Sequence, residues 1–167
     1  MGYCIFQREA EFRIKKENFN KVIKSIKSLK GKETIACSSE PHFSFVVTEE
    51  FINSKNIEDI FSAWRWEVNL SQDGDVDSIL FTGEKLGDED ILFSTIAEYL
   101  EVDSYIEMIG EDGNIWKWVF DGKFVYKVAA IAIFDEPSEE NRLDINELTG
   151  WVQFNRDSYN TNSENNE

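Results

Sequence analysis

GEDGNIWKWVFDGKFVYKV, residues 110–128, sets Trp116, Trp118 and Phe120 at every second position and then turns back on itself at Asp121–Gly122. Side chains of a strand alternate between its two faces, so the three rings share one face while Ile115, Lys117 and Val119 share the other. Lys117 marks that second face as wet. One-sided antiparallel sheets alternate in this way, so the ring face is expected to be core, packed beneath helices, and not an exposed aromatic platform. An Asp-Gly between alternating runs is the strongest short-range hairpin signal. The neighbouring runs SYIEMIG (104–110) and KFVYKVAAIAIF (123–134) extend the hairpin into a C-terminal β-meander. On the wet face Glu107 is expected to pair with Lys117 across the strands.

Working outward, FRIKKENFNKVIKSIKSLKGK carries Phe19, Val22, Ile23, Ile26 and Leu29 at the spacing of one helical stripe. Lys21, Lys24, Lys27 and Lys30 fill the opposite side, and Gly31 stands as a C-terminal stop. NIEDIFSAWRW predicts a second helix capped by Asn56 or Ser54. A third begins at GDED, where Asp88, Glu89 and Asp90 complement the helix dipole. YCIFQREAEFRI reads as a strand, HFSFVVT (42–48) as a short buried strand, and WEVNL with VDSILFTG as a hairpin around SQDGD. Helices interspersed with hairpins predict an α+β fold: a mostly antiparallel twisted sheet with about three helices on one face.

The predicted organisation is a single domain over residues 1–134, an extension over 135–154 with a short helix and an extended segment, and a mobile polar tail over 155–167. At 167 residues the chain is long enough to bury a core without staples. Two cysteines, Cys4 and Cys37, form neither a disulfide framework nor a CxxC pair. No stretch has signal-peptide or membrane-span character, so the expected location is the cytoplasm.

The net charge of −16 is unevenly spread. Residues 1–32 hold nine Lys/Arg against three Glu, and the remainder eight basic against thirty acidic residues. An acidic body of this kind repels nucleic acid and favours basic protein partners. The lysine side of the first helix is expected to pair with acids of this chain or of a neighbouring copy, which leaves a homo-oligomer open.

Recognised chemistries are scarce. His42 is the single histidine; a Cys37–His42 pair lacks a supporting motif, and the ordinary expectation is a strand-edge histidine. Zinc fails on ligand count, and P-loop, Rossmann and nucleophile-elbow signatures are missing. Asp73, Asp75 and Asp77 do occupy positions 1, 3 and 5 of a twelve-residue calcium loop, with Glu84 at position 12. Ser78 stands where the sharp turn needs Gly, and the flanks read as strands. A solvated acidic turn is therefore expected, with a weak Ca2+ site as the alternative and no other cofactor.

Residues 81–123, FTGEKLGDEDILFSTIAEYLEVDSYIEMIGEDGNIWKWVFDGK, resemble a widespread uncharacterised group of small acidic proteins from bacteria and their phages. Its marks are GEKLGDE before a helix, YIEM in a strand, and GEDG followed by a W-x-W strand. The resemblance implies a bacterial or phage origin and a shared fold, and no activity.

Two classes of function stay open. The first is a non-enzymatic interaction module, a phage or mobile-element inhibitor of a host defence or nuclease protein that binds by charge complementarity. Its contact residues would be Asp73, Asp75, Asp77, Asp88, Glu89, Asp90, Glu111 and Asp112; an immunity protein or antitoxin against a basic toxin is a variant of it. The second is a carboxylate- or divalent-metal-dependent enzyme, using Glu107 with Asp112 or Glu84.

Overall fold

The computed structural model describes residues 2–33, 42–131, 133 and 136. The chain divides into two units, residues 1–131 and 132–167; the expectations for 135–154 and 155–167 lie outside the described residues. Strand β1 (Ile5–Glu11) leads through a 3-10 turn (Lys16–Asn18) into helix α1 (Phe19–Lys27). Then follow α2 (Thr48–Asn53), α3 (Ile57–Ala63), β2 (Trp66–Leu70), β3 (Val76–Phe81) and α4 (Glu89–Ile96). The unit closes with β4 (Tyr105–Gly110), β5 (Ile115–Phe120) and β6 (Val125–Ala129). The fold is α+β with antiparallel sheets, and β4–β6 form the expected meander.

The four-stranded sheet runs β1-β4-β5-β6, and β2–β3 is a separate hairpin. The hairpin lies alongside β1. Ile5 N–H donates to Glu84 O (3.0 Å), Leu86 N–H to Tyr3 O (2.8 Å), and Ile14 and Val76 exchange both backbone bonds (3.1 and 2.9 Å). Between these ends β1 and β3 form no ladder, and the Gln7 amide bridges them, donating to Ile79 O (2.9 Å) and accepting from Phe81 N–H (2.7 Å). Backbone groups of a strand edge must still be satisfied, and this side chain satisfies two of them. On its other side β1 bulges against β4 at Gln7–Glu9.

Trp116, Trp118 and Phe120 are buried and face the helices, as their alternation predicts. Trp118 packs against Phe93 of α4 and Trp66 of β2, and Phe120 meets Phe12 and Phe93. Val22, Ile26 and Leu29 of the α1 stripe are buried, with Phe19 and Ile23 partly so. The α1 segment ends at Gly31, whose φ of +83° suits glycine. Asn56 caps α3 by accepting from Asp59 N–H at 2.7 Å.

One expected strand is absent. Residues 42–48 form no extended strand: Phe45 has φ +62°, Val46 N–H bonds back to Phe43 O (3.1 Å), and α2 begins at Thr48. The alternation of Phe43, Phe45 and Val47 is misleading, because the buried residues are Phe43 and Val46, three apart as a turn requires, while Phe45 is 52% exposed. Helix α2 is thus added to the expected three.

On the helix-free face of the four-stranded sheet Glu107 receives Arg8 (2.7 Å) and Lys117 (3.3 Å). Glu107 is directly opposite Lys117 in the ladder, so the cross-strand pairing holds. Phe6 (60% exposed), Tyr126 (49%) and Val128 (43%) share this face.

Candidate functional site

Apart from Glu107, which lies mid-sheet, the carboxylates singled out from sequence fall into two groups at opposite ends of β1. Near its C-terminal end lies the β2–β3 turn. Asp75 accepts from Lys16 N–H (2.8 Å) and Lys15 Nζ (3.1 Å), and Lys16 Nζ reaches Asp73 O (2.7 Å). These donors, the backbone N–H first, hold the Asp75 carboxyl below its usual range, while Glu101 and then Asp75 push the Lys15 ammonium up. A cavity of about 350 Å3 here is lined by Arg13, Lys15, Asp73, Asp75, Asp77 and Glu101, among others. Asp73 and Asp77 are exposed.

Glu84, the fourth residue of the calcium-loop pattern, lies beyond the far end of β3, with the whole strand between it and the turn. Among the described residues no three His, Cys, Asp or Glu side chains converge as metal ligands. The β-hairpin geometry explains this, since a calcium loop must fold back on itself within twelve residues, whereas β3 runs straight.

The second group surrounds the N-terminal end of β1. Here the GEKLGDE stretch wraps the side chain of Arg65. The guanidinium donates to Lys85 O (2.7 Å) and to Glu89, and lies over the rings of Phe45 and Phe81 at 5.1 and 5.4 Å from their centroids. Glu89 also accepts from Gly87 N–H (2.6 Å). Glu89 is 1% exposed, which corrects its assignment to the exposed contact set: it points inward from the first turn of α4 to meet Arg65. Burial pushes the Glu89 carboxyl up, with Arg65 opposing, and burial lowers Arg65. Gly87 allows this approach, because a Cβ there would lie 2.5 Å from Arg65 Nη2 and 2.9 Å from Ser44 O. Arg65 itself holds φ +66°, an αL conformation uncommon for a non-glycine residue.

The flanking acids hold the same corner together. Asp88 accepts from Ser44 N–H (2.7 Å). Asp90 accepts from the Trp118 indole (2.7 Å) and from Lys127 Nζ (3.1 Å). Asp112 accepts from Tyr3 Oη and from the side chain and backbone N–H of Asn114 (2.6 and 3.1 Å). The Tyr3 contact comes first among the causes that hold the Asp112 carboxyl low, and in return it raises the Tyr3 hydroxyl. Asp90, Glu111 and Asp112 remain exposed. A groove of about 430 Å3 lies beside them, lined by Tyr3, Leu86, Trp116, Lys127, Ala129 and Ala130, among others.

The lysine side of α1 contributes Lys21, Lys24 and Lys30 to the surface, and Lys27 donates to Ser54 O (2.6 Å). Among the described residues the ion pairs use other bases, namely Arg8, Arg13, Lys15, Arg65, Lys117 and Lys127. The intramolecular partners expected for this ladder are therefore not found among them. Cys37 lies outside the described residues, and Cys4 is a free, half-buried thiol.

No family model, curated protein or solved structure matches the chain. The geometry therefore carries the functional argument by itself. Sequence reasoning missed Arg65 and Tyr3. A signal for Arg65 existed: an arginine between Trp64 and Trp66, in the midst of apolar residues, needs a carboxylate. Among the described residues no helix is long and apolar enough to cross a membrane.

Proposed function

We propose that this chain is a non-enzymatic protein-interaction module, a phage- or mobile-element-encoded inhibitor of a basic host nuclease or defence protein. The observation that carries the reading is the outward placement of Asp73, Asp77, Asp90, Glu111 and Asp112 on turns or at an element end, near the two ends of β1. Exposed carboxylates on turns form a charge pattern that a basic partner can match. The net charge of −16 supplies long-range attraction to such a partner. The likeness of residues 81–123 to acidic phage and bacterial proteins belongs to the same reading.

The test is capture from a bacterial lysate at low ionic strength, with a parallel wash at high salt. The expected result is a basic nuclease or defence protein retained at low salt and released as the Debye length shrinks to about 3 Å near 1 M salt. A partner that survives the high-salt wash contradicts charge-complementary binding.

A further inference from the structure

Strand β6 is the last strand of its sheet, paired on one side with β5. Ala130 N–H donates to Ile115 O (2.9 Å) and Asp121 N–H to Phe124 O (3.1 Å), which places the inward-bonding positions at 124, 126, 128 and 130. The N–H and C=O groups of Val125, Lys127 and Ala129 therefore point away from the sheet. Among the described residues no strand pairs with them. Natural edges are blunted by charge, proline or a covering segment. Here the one lysine of the strand is turned onto Asp90 and the rings of Trp116 and Trp118, 5.6 and 5.5 Å from their centroids, and so does not guard the edge.

The 430 Å3 groove adjoins this edge on its helix-facing side, with Ala129 as the small residue between them and Leu86 and Trp116 as its apolar walls. Its polar lining groups are each tied to a carboxylate: Tyr3 and Asn114 to Asp112, Lys127 to Asp90. A third exposed acid, Asp121, accepts from the Tyr126 hydroxyl (2.9 Å) on the other face of the strand. Among the described residues the one cation lining the groove, Lys127, is paired with Asp90, and the rim is acidic.

We infer that the β6 edge is the docking site for an extended segment of a basic partner protein, which adds as a strand beside β6. One of its apolar side chains enters the groove over Trp116, the lysines or arginines two residues to either side of it share its face and meet Asp90 and Asp112, and one on the opposite face meets Asp121. Main-chain bonds to Val125, Lys127 and Ala129 give the affinity, and the groove and its acids give the selection, as in strand addition elsewhere. The inference rests on the interaction-module reading and specifies which surface that reading uses.

The experiment follows amide exchange and chemical shifts of the full chain by NMR, titrated with the acetylated, amidated peptide Lys-Lys-Val-Leu-Val-Lys-Lys, in which the leucine and the two lysines two residues from it share one face. Controls are the same peptide with Glu for every Lys and one N-methylated at alternate residues, which keeps the charge but loses the donors. The expected result is protection of the Val125, Lys127 and Ala129 amides and a shift of the Trp116 indole resonance. Binding should weaken at least about tenfold with either control, the loss of one to two hydrogen bonds or of the charge pairing. Ala129→Pro, which removes an outward N–H and none of the β5 ladder, should do the same. The N-methylated control keeps the test valid if that variant is unstable.

The inference is overturned if the three amides are already protected in the free chain. Protection independent of concentration means that this chain covers its own edge, and concentration-dependent protection means that a second copy does. Equal binding of the N-methylated peptide, no binding, or shifts confined to the Asp73–Asp77 turn overturn it as well. The last of these leaves the charge-complementary reading standing. Edge binding by the peptide without any basic partner from lysate removes that reading and leaves the edge in place.

Discussion

Glu89→Leu is expected to lower the unfolding free energy by about 3–5 kcal/mol, because it strips the half-buried Arg65 guanidinium of the buried carboxylate it is bonded to. The guanidinium would keep Lys85 O as an acceptor and the rings of Phe45 and Phe81 as neighbours, but would lose the carboxylate it donates to. Gly87 N–H would lose its acceptor as well. For a domain whose whole stability is about 5–15 kcal/mol, this is a large fraction. The check is a urea denaturation series, in which the midpoint should fall at an unchanged slope. The double variant Arg65→Met/Glu89→Leu should recover most of the loss, since removing both charges also removes their desolvation cost. A single variant within about 1 kcal/mol of the parent, or a double variant no better than the single, contradicts this account of the corner.

The second large effect is at Trp118. Trp118→Ala removes a side chain that is fully buried between Trp66, Phe93 and Trp116 and is expected to cost about 3–5 kcal/mol. Trp118→Phe separates the ring from its polar handle. It keeps most of the packing and gives up the indole bond to Asp90, a bond to a charged acceptor worth about 1.5–3 kcal/mol. Denaturation of both variants decides how the total divides. If Trp118→Phe is as damaging as Trp118→Ala, the indole bond and not the aromatic packing holds α4 to the sheet.

These two sites show what periodicity reveals and what it conceals. Trp118 was legible because a strand's two-residue period puts it on the same face as Trp116 and Phe120, and an apolar stripe on α4 needed a partner. The same logic located the wet face, where Lys117 and Glu107 pair as register requires. Glu89 was misread for a related reason. Its position in the first turn of a helix is the place where acids are normally exposed and favoured by the dipole, and nothing local reveals that Arg65, twenty-four residues earlier, reaches it. The Phe43–Val47 run failed through backbone conformation: the left-handed φ of Phe45 converts an alternating pattern into a turn. The Gln7 bridge to β3 joins residues more than seventy positions apart, and a single sequence carries no signal for that.

The acids at the surface divide along the same line. Asp75, Asp88 and Asp112 were singled out for contact, yet each also anchors a local turn or strand end through backbone N–H groups. Substituting them would perturb the fold together with any surface role. Asp73, Asp77 and Glu111 are exposed and are the cleaner probes of charge.

The most direct test of the interaction account is the salt dependence of affinity for the captured partner, measured for the parent and for Asp73→Asn/Asp77→Asn/Glu111→Gln. Charge-complementary binding predicts that the parent's affinity falls steeply with ionic strength and that the triple variant binds more weakly with a shallower dependence. An affinity that is flat in salt, with the triple variant indistinguishable from the parent, would contradict it.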